Sequence, residues 1–154
     1  MSSLGEQFMQ SKGRPVDLDG QRVHMAFDMG PLPAGTLRIR MDSRRNLRQG
    51  MAVKSDGGRM HVAEHTGELF AFWSDTAPDC VEVELTPLRG HKDMGVRVWN
   101  IWTSQRWGNT DAWIGNAGLL IETADPYHAV LRASAGPGDP SFDDLVATLD
   151  FVPK

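Results

Sequence analysis

Four groups of residues in this chain have the types and spacing that chemistry requires. The first is His61-Val-Ala-Glu-His65, which carries the letters of the inverted zinc-peptidase pattern, His-x-x-Glu-His. That chemistry needs both histidines on one face of a helix, four residues apart, to grip one Zn²⁺. Here Gly57-Gly58 precedes the segment, Thr66-Gly67 follows it, and the flanking hydrophobic pattern has a period of two. The segment therefore reads as a solvated strand-to-turn piece. Residues four apart in an extended strand lie about 13 Å from one another, too far to share a metal. No second helix supplies the further carboxylate such a peptidase needs.

The second group is aromatic. Four of the five tryptophans, Trp99, Trp102, Trp107 and Trp113, fall in one short stretch. Trp99 and Trp102 differ in parity, so a regular strand points them to opposite faces and only one can enter the core. Gln105-Arg-Trp-Gly-Asn109 reads as a loop with Trp107 at its tip. An exposed indole can stack on the C–H face of a sugar while neighbouring polar groups hold the hydroxyls. Trp107 is the expected platform, Arg106, Asn109 and Asp111 its polar contacts, and Trp102 a further ligand contact from the same cluster. Packing of all these indoles is the competing reading.

The third group, Asp139, Asp143 and Asp144, offers hard oxygen ligands, and Ca²⁺ is the metal such a set would take. Its spacing does not follow an EF-hand loop, and aspartates in turns often bond only their own backbone. The fourth group is basic: Arg38, Arg40, Arg44, Arg45 and Arg48 lie close together, and Asp75, Asp79, Glu82 and Glu84 form an acidic counterpart. Pairing of these segments between subunits would build a homo-oligomer through the Arg38–Arg48 stripe. No Gly-x-Ser-x-Gly elbow or Gly-rich phosphate loop occurs. Catalysis would require at least two of His24, His61, His65, His91 and His128 to converge in a barrel mouth.

The elements that must position these groups are mostly strands. Ser3-Leu-Gly-Glu6 has the spacing of a capping box, and Leu4 and Phe8 share a helical face, so a short helix or arm is expected within residues 1–15. Beyond it the period changes to two. Val23, Met25, Phe27 and Met29 alternate with polar or small residues up to a break at Gly30-Pro-Leu-Pro33. Leu37, Ile39 and Met41 alternate with arginines, which places the basic stripe on a wet face. Asp56-Gly57-Gly58 signals a hairpin. Val81, Val83 and Leu85 alternate with glutamates, and residues 96–102 are bulky on both faces, as in a central strand. Ala112–Ile114, Leu119–Thr123, Tyr127–Ala133 and Leu145–Phe151 complete about ten short strands.

The pattern predicts one all-β domain over residues 1–154, an antiparallel β-sandwich of jelly-roll type with a short N-terminal helix or arm. The chain has 154 residues, 40% of them hydrophobic and 23% charged, enough for a core without a disulfide or metal. The single cysteine, Cys80, excludes an internal disulfide. A net charge of −4 argues against a nucleic-acid binder. No apolar run approaches the roughly 20 residues of a membrane span. The N-terminus shows no basic start followed by an apolar core, so the cytoplasm is the expected compartment.

Val96-Arg-Val-Trp-Asn100, Trp113-Ile-Gly-Asn-Ala-Gly118 and Ser141-Phe-Asp-Asp-Leu-Val146 together resemble the later strands of jelly-roll, galactose-binding-like carbohydrate-binding modules. The resemblance covers residues 94–152. It implies a two-sheet sandwich with ligand contacts on loops or a concave face, and often a structural Ca²⁺. The expected function is non-catalytic binding of a carbohydrate or other small polar ligand. An assembly subunit and a histidine-containing barrel-mouth enzyme are the alternatives.

Overall fold

The computed structural model describes residues 2–103 and 110–154. Helix α1 (Leu4–Ser11) starts where expected: the Ser3 side chain accepts the Glu6 N–H at 3.2 Å. Leu4 and Phe8 are buried against Val23. Lys12 adopts the left-handed conformation, and the Gly13 N–H returns to the Phe8 carbonyl at 2.8 Å, which ends the helix. The N-terminal segment thus folds back onto its own domain.

In chain order the strands are β1 (Val16–Leu18), β2 (Gln21–Val23), β3 (Phe27–Leu32), β4 (Gly35–Ser43), β5 (Arg48–Asp56), β6 (Gly58–Val62), β7 (His65–Gly67), β8 (Leu69–Trp73), β9 (Val81–Pro87), β10 (Met94–Thr103), β11 (Gly118–Asp125), β12 (His128–Ser134) and β13 (Leu145–Pro153). β1 and β2 make a small ribbon. The others form an antiparallel sandwich: a smaller sheet ordered β3-β10-β5-β8 faces a larger one ordered β11-β12-β13-β4-β9-β6-β7. Alternation fills the space between them. Met51, Val53, Val96 and Val98 from the smaller sheet meet Leu37, Ile39, Val83, Leu85, Leu131 and Leu149 from the larger. Among the described residues no helix is long and apolar enough to cross a membrane.

The all-β class and the sandwich agree with the sequence reading, but several local expectations need correction. Asp56-Gly57-Gly58 is not a hairpin. It is a corner that carries the chain from β5 in one sheet to β6 in the other, with Gly57 at φ +77°. The alternation through residues 23–29 belongs to two strands, because His24 leaves the ribbon to bridge Leu119 of β11. β3 continues through Pro31, which is tolerated because β3 is an edge strand. Ala112–Ile114 is not a strand: Trp113 has φ +60°, incompatible with extended backbone. Among the described residues there are thirteen strands against about ten expected, because β1 and β7 are additional and the stretch 23–29 is divided between β2 and β3.

Candidate functional site

Parity settles the roles of Trp99 and Trp102. β10 lies inside the smaller sheet, between β3 and β5, so both of its edges are paired, and from Val98 to Trp102 both of its faces are buried as well. Trp102 points inward and is 1% exposed, in a cluster with Ala117 and Ala135, its ring lying close over Gly136. It cannot touch a ligand, which corrects its assignment as a binding residue. Asp111 bridges Trp102 through the backbone in both directions, at 2.8 and 3.1 Å. Trp107, Arg106 and Asn109 lie outside the described residues.

The acidic group has structural duties. The buried Asp144 carboxylate accepts from Arg45 Nη1 at 3.0 Å and from the Ala135 N–H at 3.1 Å. Asp143 pairs with Arg132 at 2.6 Å, and Asp139 is exposed in a turn. Among the described residues no three potential metal ligands converge, so Asp139, Asp143 and Asp144 do not assemble the oxygen cage that Ca²⁺ needs. His61 and His65 also part company. β6 and β7 pair His61 with Thr66 and Val62 with His65, so the two rings lie on opposite faces of a tight hairpin. His61 Nδ1 instead meets Thr66 Oγ1 at 2.7 Å. The basic stripe and the acidic segment meet within one chain: Arg38 faces Glu82 at 3.9 Å, and Arg48 holds Asp75 at 3.0 Å.

A second aromatic cluster lies on the outer face of the smaller sheet. Trp99, Ile101 and Ala52 point outward there and are nevertheless buried, with Trp73 beside them. Trp113 leans on Trp99, with ring centroids 4.9 Å apart and 39% of the residue exposed. Its indole N–H donates to the Met25 carbonyl at 3.0 Å. Its backbone is held at φ +60°, a conformation that costs a bulky residue on the order of 1–3 kcal/mol and persists only when the surroundings impose it. Those surroundings are identifiable. The Gly5 N–H donates to the Gly115 carbonyl at 2.8 Å, the Leu4 N–H to Asn116 Oδ1 at 3.1 Å, and Asn116 Nδ2 to the Gly138 carbonyl at 2.7 Å. Helix α1 and the turn at Gly138 therefore clamp the loop that presents Trp113.

Next to this indole, register places Asp28, Arg97 and Lys54 in one row across β3, β10 and β5. Arg97 grips Asp28 through two bonds, 2.7 Å from Nε and 3.1 Å from Nη2. The hydrogen bond to Asp28, and then its charge, raise the Arg97 pKa further above its ordinary value. Beyond the row, Asp56 stands opposite Gly95. Gly30 and Gly95 leave the floor without side chains, opening a cleft of about 470 Å³ walled by Asp28, Lys54, Asp56 and Arg97. A second cavity of about 480 Å³ lies on the other side of the Arg97–Asp28 pair, against Trp113, His24, Met25 and Lys12. Burial, then the charge of Arg22, lower the His24 pKa below 6.5, so this ring is uncharged at neutral pH. Both volumes fall within the range of small-molecule sites.

Sequence reasoning passed over Lys12, Asp28, Lys54, Asp56 and Arg97, and named Trp113 in the aromatic group without giving it a ligand contact. A signal was present in Gly95 on a bulky strand, since an interior glycine often marks close approach of a ligand or backbone. A scan against protein-family models finds no match to this chain, and comparisons with curated proteins and with solved structures find none either.

Proposed function

We propose that this protein is a non-catalytic binding module for a carbohydrate or similarly hydroxyl-rich small ligand, taken up on the outer face of the smaller sheet. The observation that carries this reading is Trp113, a tryptophan held against its backbone preference, tied by its N–H and left partly open on one polar cavity, which shares Asp28 and Arg97 with a second. A sugar presents C–H faces for an indole and hydroxyls that both donate and accept. The glycine-floored cleft answers the hydroxyls with two carboxylates and two cations, a set balanced in charge.

The test is a glycan array probed with the whole chain and with Trp113→Ala, in Ca²⁺ and in EDTA. Wild-type protein is expected to bind a saccharide family reproducibly. Trp113→Ala is expected to weaken that binding at least thirtyfold (roughly 2 kcal/mol, as for an aromatic anchor) with an unchanged far-UV spectrum. EDTA should change nothing, because Asp143 and Asp144 already serve arginines. Absence of saccharide binding in both conditions would overturn the reading.

A further inference from the structure

The two cavities differ in charge, and that difference speaks to the class of saccharide. The first is balanced, Asp28 and Asp56 against Lys54 and Arg97. The second contains the same Arg97–Asp28 pair, but its other charged group is Lys12 and it has no further acid. The left-handed backbone at the end of α1 presents Lys12, and among the described residues no carboxylate pairs with it. Arg22, whose charge reaches His24, stands opposite Asp17 on the β1–β2 ribbon and outside the lining, so it is left out of this balance. The lining of the second cavity is net positive, with an indole on one side and the exposed Lys12 ammonium on another. Because Arg97 and Asp28 line both spaces, the cavities adjoin, and a ligand of two linked rings can occupy them together.

Resting on the carbohydrate reading above, we propose that the ligand is an acidic saccharide with a uronic-acid ring: a neutral ring occupies the glycine-floored cleft, and the carboxylate of the next ring lies beside Lys12 while that ring stacks on Trp113. A single ammonium next to an already paired guanidinium offers one net positive charge. That matches a monoanionic carboxylate better than a dianionic phosphate.

The test is isothermal calorimetry with an aldobiouronic acid, one uronic-acid ring linked to one neutral ring, and its methyl ester, which differ in the charge of that single carboxyl group. The acid is expected to bind about tenfold more tightly than the ester, the size of one charge-assisted hydrogen bond, with the ratio shrinking as salt is added. Lys12→Met should bring the ratio to within about twofold. Gly95→Leu should weaken acid and ester alike by filling the cleft. A side chain fits at Gly95, since the nearest atom to an added Cβ is the Met29 carbonyl oxygen at 3.6 Å. Arg38→Ala, on the larger sheet, should keep both affinity and ratio. Equal binding of acid and ester, or a ratio untouched by Lys12→Met, would overturn the acidic assignment while leaving the carbohydrate reading standing. Failure of acid, ester and every arrayed neutral glycan to bind would remove both.

Discussion

The two outer faces of the sandwich are built on different principles. On the larger sheet, Arg38 faces Glu82, Arg40 faces Asp150, and Arg132 faces both Glu122 and Asp143. Most of its charges are paired in water, with Arg59 and Glu84 as exposed exceptions among the described residues. The smaller sheet instead carries a second apolar layer of Trp99, Ile101, Ala52 and Trp73, beside a groove in which Lys12 and Lys54 lack ion-pair partners among the described residues. A face whose charges are already paired has little to offer a ligand. The proposed binding reading rests on this combination of buried aromatics and cations without ion-pair partners.

If this contrast is correct, substitutions on the two faces differ in size of effect. The largest is expected at Trp99. Trp99→Ala removes a nearly buried indole and the support of Trp113, and urea unfolding should show a loss of about 3 kcal/mol. A loss below about 1 kcal/mol would mean that the outer apolar layer is not a packed core.

Smaller effects are expected from the histidines, one near each face. The hydrogen bond from His128 to Asp150, at 2.5 Å, raises the His128 pKa above 6.5, with the charges of Asp150 and Asp125 adding to it. Its contribution to stability is therefore full below pH 6.5 and disappears as pH climbs through the raised folded value. His24 behaves oppositely. Its lowered pKa means that the folded protein resists a proton, so stability falls as pH drops from 6.5 through the folded value. NMR titration should separate the two rings on either side of 6.5, and Asp150→Asn should bring His128 down without moving His24. Coincident titrations would erase the distinction.

The smallest effect is expected at Arg38. The pair with Glu82 is long and both side chains are about half exposed, so Arg38→Ala should change unfolding stability by no more than about 0.5 kcal/mol. A larger loss would show that the charged face contributes more than solvation.

What the sequence made legible was local. Leu37, Ile39, Leu145, Ala147 and Leu149 are buried at the alternating positions that mark them, and the parity of Trp99 and Trp102 separated one face of β10 from the other. Choice of partner strand was not legible. Gly57-Gly58 states that the chain turns but not which sheet it turns toward, because that depends on contacts distant in sequence. Trp113 was hidden for a sharper reason. Its residue type argues for extended or helical backbone, and its left-handed conformation is imposed by Gly5, Leu4 and Asn116, whose proximity no local pattern records. The row of Asp28, Arg97 and Lys54 required the register of three strands, two of which are far apart in the chain.

The bond from the Leu4 N–H to Asn116 crosses 112 residues, and this orders events during folding. Helix α1 is made early and then waits. Its docking partner is synthesised only after both strands that carry the Arg97–Asp28 pair, and closing so long a loop is entropically slow. A nascent chain that has reached β10 already contains Lys12, Asp28, Lys54 and Arg97 but lacks both Trp113 and the Asn116 that fixes its loop. On the proposed reading, competence to bind therefore arrives late, with the closing of the chain on itself.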